Sequence, residues 1–284
     1  MKSKNRTYCS VFKVKDKKTN EIKVFKIIKK NELNNKLKEQ YNNDIKSFEK
    51  EYHDCINDIY DEISIMEMFN DKDNSIKYYD NYHNKNEFGV IMELCDDNLI
   101  SFLQKKKILK NKEIYYILCQ LNNIFKIISE KKITLRNIKP QNILIKYDNK
   151  VKEKYLVKLS DYKVSNIWNS LDLKLENSEN SILTFAPEIL KGENPSSKSN
   201  LWSLGIIIYF LVFNQYPYSG NANNIIKQID FEGDKLLKKT NNEALNNLIF
   251  SLLEKDPNKR LDWTQYFNHP FFRNNSYKEK CLIS

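Results

Sequence analysis

Glycine is scarce in this sequence, and its distribution is uneven. Five of the 284 residues are glycine, and the first of them is Gly89, whereas about 7% is usual in globular proteins. A loop that brings backbone N–H groups onto a phosphate needs glycine, because a Cβ atom prevents so close an approach. The residues before Gly89 therefore exclude a glycine-rich phosphate-binding loop.

Cysteine pairs and long apolar runs are also absent. The five cysteines are odd in number, scattered and without a C-x-x-C pair, which predicts reduced thiols in a cytoplasmic protein rather than a disulfide framework. The longest apolar run, Leu204 to Phe213, is too short to span a bilayer and predicts a buried core helix. The first residues lack the charged-then-apolar pattern of a signal peptide.

The charge of the chain is basic but not concentrated. Lys and Arg number 47 against 37 Asp and Glu, giving a net charge of +10. Because lysine and asparagine are spread along the whole chain without a dense basic run, this charge argues against a nucleic-acid interface. A chain of this length with 40% hydrophobic residues is expected to be globular, as one large domain or two small lobes.

Apolar periodicity places the first elements. Alternating residues at Val11–Val14 and Ile22–Ile28, around a polar turn, predict a β-hairpin. The charged, asparagine-rich stretch from Lys29 to Lys50 predicts a helical or disordered insert. Helical spacing of apolar residues predicts two helices, one through Cys55, Ile56, Ile59, Ile63 and Met66, and one through Ile114, Ile117, Leu118, Leu121, Ile124, Phe125 and Ile128.

The stretch from Leu135 to Ile145 carries the most specific pattern. It resembles the catalytic loop of eukaryotic Ser/Thr protein kinases, H-R-D-x-K-P-x-N followed by an apolar strand, and Arg136, Lys139, Pro140 and Asn142 stand in the matching positions. Leu135 replaces the histidine of that pattern, and Asn137 replaces its catalytic aspartate.

Further stretches resemble other kinase motifs in the order of that family. They are Val24-Phe25-Lys26-Ile27 (V-A-I-K), Asp61–Met66 (helix αC), Glu93–Asp97 (the hinge), Asp161-Tyr162-Lys163 (D-F-G), Ala186-Pro187-Glu188 (A-P-E), Asn200–Gly205 (D-x-W-S-x-G), Asp256–Leu261 and His269–Phe272. The resemblance covers roughly residues 4 to 272.

This resemblance implies an α+β, bilobal protein-kinase-like fold, with a small β-rich N-lobe carrying one αC helix and a larger, mostly α-helical C-lobe. The corresponding boundaries are residues 1–95 for the N-lobe, 96–272 for the C-lobe and 273–284 for a polar tail. The first strand is expected to be truncated, because the chain begins so close to it.

The resemblance also implies roles for single residues in binding ATP and Mg²⁺. Lys26, paired with Glu62, would neutralise the phosphates, and Lys139 would face the γ-phosphate. Asn142 and Asp161 would be the Mg²⁺ ligands. The adenine contacts would come from Val11, Val24 and Leu144 on the faces of the ring, Met92 as gatekeeper, and the backbone of Glu93 and Cys95. Arg136 would receive a phosphate from an activation-segment hydroxyl such as Ser170, Ser178 or Thr184.

Several positions depart from the family pattern. The three glycine positions of its phosphate loop hold Lys4, Arg6 and Cys9. Asn137, in place of the base, can orient a hydroxyl but cannot accept its proton. Lys163, in place of the D-F-G glycine, either competes with Mg²⁺ for Asp161 or points into solvent.

Other positions imply retained architecture. Apolar stacking of Met66, Tyr78, Tyr162 and Leu135 would form the regulatory spine of the family. Asn200 would cap its helix and accept a bond from the catalytic-loop backbone, and Arg260 would pair with Glu188.

Three functions remain open from the sequence. The first is a pseudokinase that acts through protein interaction with weak ATP binding. The second is a weakly active Ser/Thr kinase, since Lys139-Pro140 and Ser181 are of the Ser/Thr type. The third is an interaction or nucleic-acid-binding protein that uses the fold as a surface. In the first two cases the partner or substrate is a protein, which the sequence does not identify.

The last four residues, Cys281-Leu282-Ile283-Ser284, fit the C-a-a-X prenylation signal. With nearby basic residues, one lipid chain on Cys281 would give reversible membrane association. An ordinary unmodified tail is the alternative.

Overall fold

The computed structural model describes residues 8–41, 44–148, 154–163 and 181–273. By their contacts the residues divide into two compact units. The first comprises Met1–Asp96 with Ser160–Lys163, and the second comprises Asp97–Leu159 with Val164–Ser284. A short segment from the middle of the chain thus belongs to the unit formed by the first 96 residues.

The first unit is built on an antiparallel sheet with strand order β1-β2-β4-β3. Its strands are β1 (Cys9–Lys15), β2 (Ile22–Lys29), β3 (Tyr78–His83) and β4 (Glu87–Glu93). The alternating residues around the turn therefore form the predicted hairpin, with Val11 opposite Lys26 and Lys15 opposite Ile22.

Two helices accompany this sheet, α1 (Lys30–Tyr41) and α2 (Ile45–Met68). The side chain of Asp44 caps α2 by accepting a bond from the Ser47 backbone N–H. The insert left open as helical or disordered contains α1, which contacts α2, β2 and β4. Leu33 and Leu37 of α1 are 3% and 0% exposed, so the burial of two leucines in a polar stretch contributes to holding this helix. Helix α1 is thus the helical form of the insert, beside α2, which carries the αC-like stretch Asp61–Met66.

The second unit is mainly helical, with a small sheet of order β5-β6-β7. The strands are β5 (Asp97–Asn98), β6 (Ile143–Tyr147) and β7 (Tyr155–Leu159). The α-helices run as α3 (Leu99–Lys106), α4 (Asn111–Glu130), α5 (Pro187–Leu190), α6 (Ser197–Phe213), α7 (Ala222–Lys227), α8 (Glu243–Leu252), α9 (Trp263–Phe267) and α10 (Pro270–Arg273). Short 3₁₀ turns lie at Pro140–Asn142, Ile182–Thr184 and Gly233–Leu236, and a π-helical turn at Gln228–Glu232.

The core of the second unit is centred on α6, which is buried on nearly all sides, as its apolar run predicted. A Cβ atom at Gly205 would lie 2.8 Å from the Cβ of Leu252. This position therefore needs glycine for the close approach of α6 and α8. Within the described ranges, no helix combines the length and apolar character that crossing a bilayer requires.

A buried ion pair ties distant parts of the second unit together. Arg260, 1% exposed, donates to both carboxylate oxygens of Glu188 at 2.7 and 2.9 Å. It also donates to the backbone carbonyls of Lys198 and Glu254. Burial alone would raise the pKa of Glu188, but the bonds and charge of Arg260 lower it. The predicted pairing of these two residues is confirmed.

Candidate functional site

Three charged side chains come together within the first unit. The Lys26 Nζ atom, on β2, lies 2.7 Å from the Glu62 Oε1 atom on α2. The same Nζ atom lies 3.8 Å from Asp161 Oδ1, which the segment Ser160–Lys163 brings into this unit. Glu62 is 5% exposed because it lies on the side of α2 that also buries Ile59, Ile63, Ile65 and Met66.

Burial and mutual charge set the protonation of this cluster. Burial alone would lower the pKa of Lys26, but the carboxylates of Glu62 and Asp161 outweigh it and raise that pKa. Burial raises the pKa of Glu62 despite the opposing charge of Lys26, and the Asp161 charge adds to the rise. Lys26 is therefore held as a cation, and the cluster presents a fixed positive charge beside two acidic groups.

Four of the residues predicted to surround a nucleotide share one face of the first sheet. Val11 lies directly opposite Lys26, and Val24 directly opposite Met92. Directly opposed residues of antiparallel strands point to the same face, as do residues two apart on one strand. The register thus places Val11, Val24, Lys26 and Met92 together, with Val11 49% exposed.

The other predicted adenine contacts lie at strand ends and in the second unit. Glu93 ends β4, where its Oε1 atom accepts a bond from the Lys77 backbone N–H at 2.7 Å. Cys95 follows and is half-buried. Leu144 lies in β6, opposite Asn98 on one side and Lys158 on the other. Their roles in adenine binding stay predictions.

Cysteine occupies the start of β1 where the resemblance expects the third glycine. Cys9 pairs with Ile28 in the hairpin, and its charge in the thiolate form would add to the rise in the pKa of Lys26. Lys4 and Arg6, in the other two glycine positions, lie outside the described residues.

The loop predicted to be catalytic is buried and internally bonded. Asn137 is 3% exposed and Asn142 is 9% exposed. The Asn142 Nδ2 group donates to the Asn137 backbone carbonyl at 2.9 Å, and Asn142 closes the 3₁₀ turn that begins at Pro140. Because that bond uses the amide NH₂, a metal ion would meet the Oδ1 atom of Asn142.

Lys139 connects this loop to the segment before A-P-E. Its Nζ atom donates to the Ser181 Oγ atom at 3.0 Å, and Lys139 is 7% exposed. Thr184 is 2% exposed and donates its hydroxyl to the Ser181 backbone carbonyl at 3.0 Å. The Thr184 hydroxyl is therefore not accessible to a modifying enzyme in this conformation.

The predicted helix cap at Asn200 is wrong. Ser196 caps α6 by accepting a bond from the Lys198 backbone N–H, and Asn200 lies within the first turns of the helix. The other part of the prediction is confirmed, since the Asn200 Oδ1 atom accepts from the Leu135 backbone N–H at 3.1 Å. Its Nδ2 group also donates to the Leu135 carbonyl. Asn200 thus fixes both backbone groups of one loop residue, which a cap at the same time would prevent.

Sequence reasoning missed a bond made by Tyr162. This side chain is 0% exposed, and Met66 and Tyr78, two other residues of the expected stack, are also buried in the first unit. Its hydroxyl donates to the Ser75 Oγ atom at 2.7 Å. The signal was available, because a buried tyrosine hydroxyl needs a partner where phenylalanine does not. Leu135, the fourth residue of the expected stack, is 4% exposed in the second unit.

The remaining predicted positions are either half-buried or outside the described residues. Arg136 and Lys163 are half-buried, and the Lys163 charge opposes the rise in the pKa of Glu62. Ser170, Ser178 and Cys281 lie outside the described residues, so activation-segment phosphorylation and prenylation stay predictions.

Comparisons with known proteins agree with these motifs. A family model described as protein kinase domain matches residues 7–272. The chain is 30% identical over 279 residues to the serine/threonine-protein kinase atg1 of Dictyostelium discoideum, covering 95% of this chain and 39% of that protein. It is 27% identical over 219 residues to calcium-dependent protein kinase 6 of Plasmodium berghei, covering 76% and 14%. It is 28% identical over 219 residues to the serine/threonine-protein kinase TIO of Arabidopsis thaliana, covering 77% and 16%. The chain thus spans well under half the length of these relatives.

Proposed function

The chain belongs to the protein kinase family, with serine/threonine kinases as its relatives, and we propose that it is a pseudokinase within that family. In this proposal it binds ATP weakly and acts by binding a protein partner. The α+β kinase fold is established by the family match, and protein kinase domains in general use ATP and Mg²⁺ on protein substrates.

The observation that carries this proposal is Asn137. It stands in the position of the catalytic aspartate and is 3% exposed. In the same loop, Asn142 donates to the Asn137 carbonyl and Lys139 donates to Ser181. A carboxylate there would orient the substrate hydroxyl and accept its proton, whereas an amide only orients it. Loss of a positioned base typically lowers the rate by about 10²- to 10⁴-fold.

The case for nucleotide binding rests on groups that remain. The Lys26–Glu62 pair, 2.7 Å apart, provides a fixed cation for phosphate oxygens. By resemblance to the family, Asp161 and Asn142 would each offer an oxygen ligand of the kind that Mg²⁺ prefers, and bound Mg²⁺ would neutralise phosphate charge. Binding is expected to be weak because no glycine precedes Gly89 in this sequence, and a glycine-rich loop is what would bring backbone N–H groups close to the phosphates.

A weakly active Ser/Thr kinase is the second candidate. It is favoured by the bond from the Lys139 Nζ atom to the Ser181 Oγ atom at 3.0 Å, together with the intact Lys26–Glu62 pair. These contacts orient two lysines to which the family resemblance assigns a role on the phosphates. The rate of phosphoryl transfer is the measurement that separates the two candidates.

Thermal shift and phosphotransfer measurements test both candidates. Millimolar ATP should raise the melting temperature, with a different increment when Mg²⁺ is present. The control is the double variant Lys26→Met/Glu62→Gln, which removes the phosphate clamp without leaving Glu62 unpaired. A melting temperature that does not respond to ATP in either metal condition would refute nucleotide binding.

Phosphotransfer to a generic Ser/Thr substrate should be at trace level in the wild type and rise about 10²-fold or more in Asn137→Asp. Turnover clearly above trace level in the wild type, lost in the Lys26→Met/Glu62→Gln variant, would establish the second candidate and refute the first.

A further inference from the structure

The segment Ser160–Lys163 carries a fully buried aromatic side chain into the first unit. It follows β7 of the second unit, yet its contacts place it with the first unit. Tyr162 is 0% exposed, and its ring lies edge-on to Phe69 with ring centroids 5.3 Å apart. Burial of a whole aromatic side chain makes Tyr162 a strong attachment of this short segment.

The hydroxyl of Tyr162 adds a directional bond to that burial. It donates to the Ser75 Oγ atom at 2.7 Å, and Ser75 is 1% exposed. Ser75 in turn directs its hydroxyl to the Ile76 backbone carbonyl at 3.3 Å. A phenylalanine ring would fill the same space but could rotate or slide without losing a bond. The tyrosine is therefore fixed at one depth and one orientation.

Asp161 is the residue that this attachment controls. It precedes Tyr162 directly and has φ +62°, in the left-handed region that a non-glycine residue keeps only where its neighbours hold it. In that conformation its Oδ1 atom lies 3.8 Å from Lys26 Nζ. A segment free to shift would relax this φ angle and move the carboxylate away from Lys26.

We propose that Tyr162 and Ser75 are positioning residues, whose mutual hydrogen bond holds Asp161 beside Lys26 and so sets the Mg²⁺-dependent part of nucleotide binding. The second half of this inference rests on the nucleotide binding proposed above, and the first half does not. The ring of Tyr162 supplies burial, and its hydroxyl supplies the position of the neighbouring carboxylate.

The test uses three variants of the full chain and one matched control. Tyr162→Phe and Ser75→Ala each remove one partner, and the double variant removes both. The control, Tyr266→Phe, loses a bond of similar kind in the second unit, where the fully buried Tyr266 hydroxyl donates to Asn122 Oδ1 at 2.8 Å. It reports what the loss of a buried tyrosine hydroxyl does to stability alone.

ATP affinity is measured by calorimetry with Mg²⁺ and with a chelator. Mg²⁺ raises the ATP affinity by some factor, and in each single variant that factor should be about fivefold smaller than in the wild type, as expected for one buried hydrogen bond. The affinity without metal should change by less than about twofold. The double variant should lose no more than the singles, because the two residues act through one bond. Tyr266→Phe should leave the Mg²⁺ gain unchanged.

Hydrogen exchange without nucleotide gives a second readout. The backbone amides of residues 160–163 should exchange faster in Tyr162→Phe and in Ser75→Ala, whereas α4 should exchange at the wild-type rate. Unchanged exchange at 160–163 would overturn the positioning role, whatever the affinities show. If the wild type binds no ATP but exchange rises as expected, the proposed nucleotide binding fails and the positioning of Asp161 stands.

Discussion

Replacing Lys26 by methionine is expected to destabilise the protein strongly near pH 8 and much less near pH 5. Methionine keeps the apolar stem but removes the ammonium that lies 2.7 Å from Glu62 and 3.8 Å from Asp161. Glu62, 5% exposed, would then be a buried carboxylate whose nearest described charge partner is gone and whose acidic neighbour remains.

The magnitude follows from that geometry. At an effective dielectric constant of about 20, two unit charges 2.7 Å apart attract by about 6 kcal/mol. The desolvation of both charges offsets part of this attraction. Removing one partner of a buried pair accordingly costs about 3 to 5 kcal/mol, a large share of the stability of a typical domain, which is about 5 to 15 kcal/mol.

The dependence on pH has a definite sign. The pKa of Glu62 is already above its ordinary value of 4.5, because of burial, and the loss of Lys26 removes an opposing charge and raises it further. A carboxyl group whose folded pKa is raised binds more protons in the folded state, so the free energy of unfolding falls as pH rises above 4.5. The deficit of the variant should therefore shrink on acidification, by up to about 1.4 kcal/mol per pH unit.

Urea unfolding at about pH 5 and about pH 8 measures this deficit. Glu62→Gln and the double variant Lys26→Met/Glu62→Gln are the matched controls, and the double variant should recover most of the loss at the higher pH because it leaves no unpaired carboxylate. A Lys26→Met protein as stable as the wild type near pH 8, or one with the same deficit at both pH values, would refute the assignment of Lys26 as the counter-charge of Glu62.

Three further results are expected. Arg260→Leu should lower the free energy of unfolding at pH 7 by about 3 to 5 kcal/mol. The stability that the pair contributes in the wild type is complete above the ordinary Glu188 pKa of 4.5 and is lost as the pH falls below that value. A difference in urea unfolding between the two proteins that does not shrink in acid would contradict this prediction. Burial lowers the pKa of His269, whose Nε2 atom lies 2.8 Å from Asn247 Oδ1. As the pH falls below the ordinary value of 6.5, the melting temperature of the wild type should therefore drop more than that of His269→Gln, and equal drops in the two proteins would contradict this. Lys163→Met should increase the Mg²⁺ dependence of ATP binding about fivefold, the effect of removing one nearby positive charge, and calorimetry with and without Mg²⁺ would contradict this by showing no change.

Much of the fold followed from sequence pattern, because apolar spacing reports burial directly. The hairpin of β1 and β2 and the helix α4 lie where period-2 and helical spacing placed them. The sequence does not decide between helix and disorder for α1, because its composition is polar and its buried apolar side chains are Leu33 and Leu37. Two buried side chains give too weak a periodic signal to identify a helix in a polar stretch.

The site was harder to predict where one side chain had two possible partners. Asn200 suits a helix cap by residue type, but Ser196 lies nearer the start of α6 and takes that role. The Tyr162–Ser75 bond joins residues 87 positions apart, and only the folded chain brings these hydroxyls together. The mutual placement of Lys26 and Glu62 was given by resemblance to a family, because no local pattern relates a strand residue to a helix residue 36 positions later.

The Arg260–Glu188 pair also sets an order of events during synthesis. The two residues are 72 positions apart, so a ribosome adding about 5 to 20 residues per second makes the arginine about 4 to 14 s after the glutamate. Throughout that interval Glu188 lacks the guanidinium that allows its burial, and the turn that carries it stays exposed to water and to chaperones. The second unit therefore cannot finish folding before Arg260 has been made, and a pause between these two codons prolongs the period in which the unit is vulnerable to proteolysis.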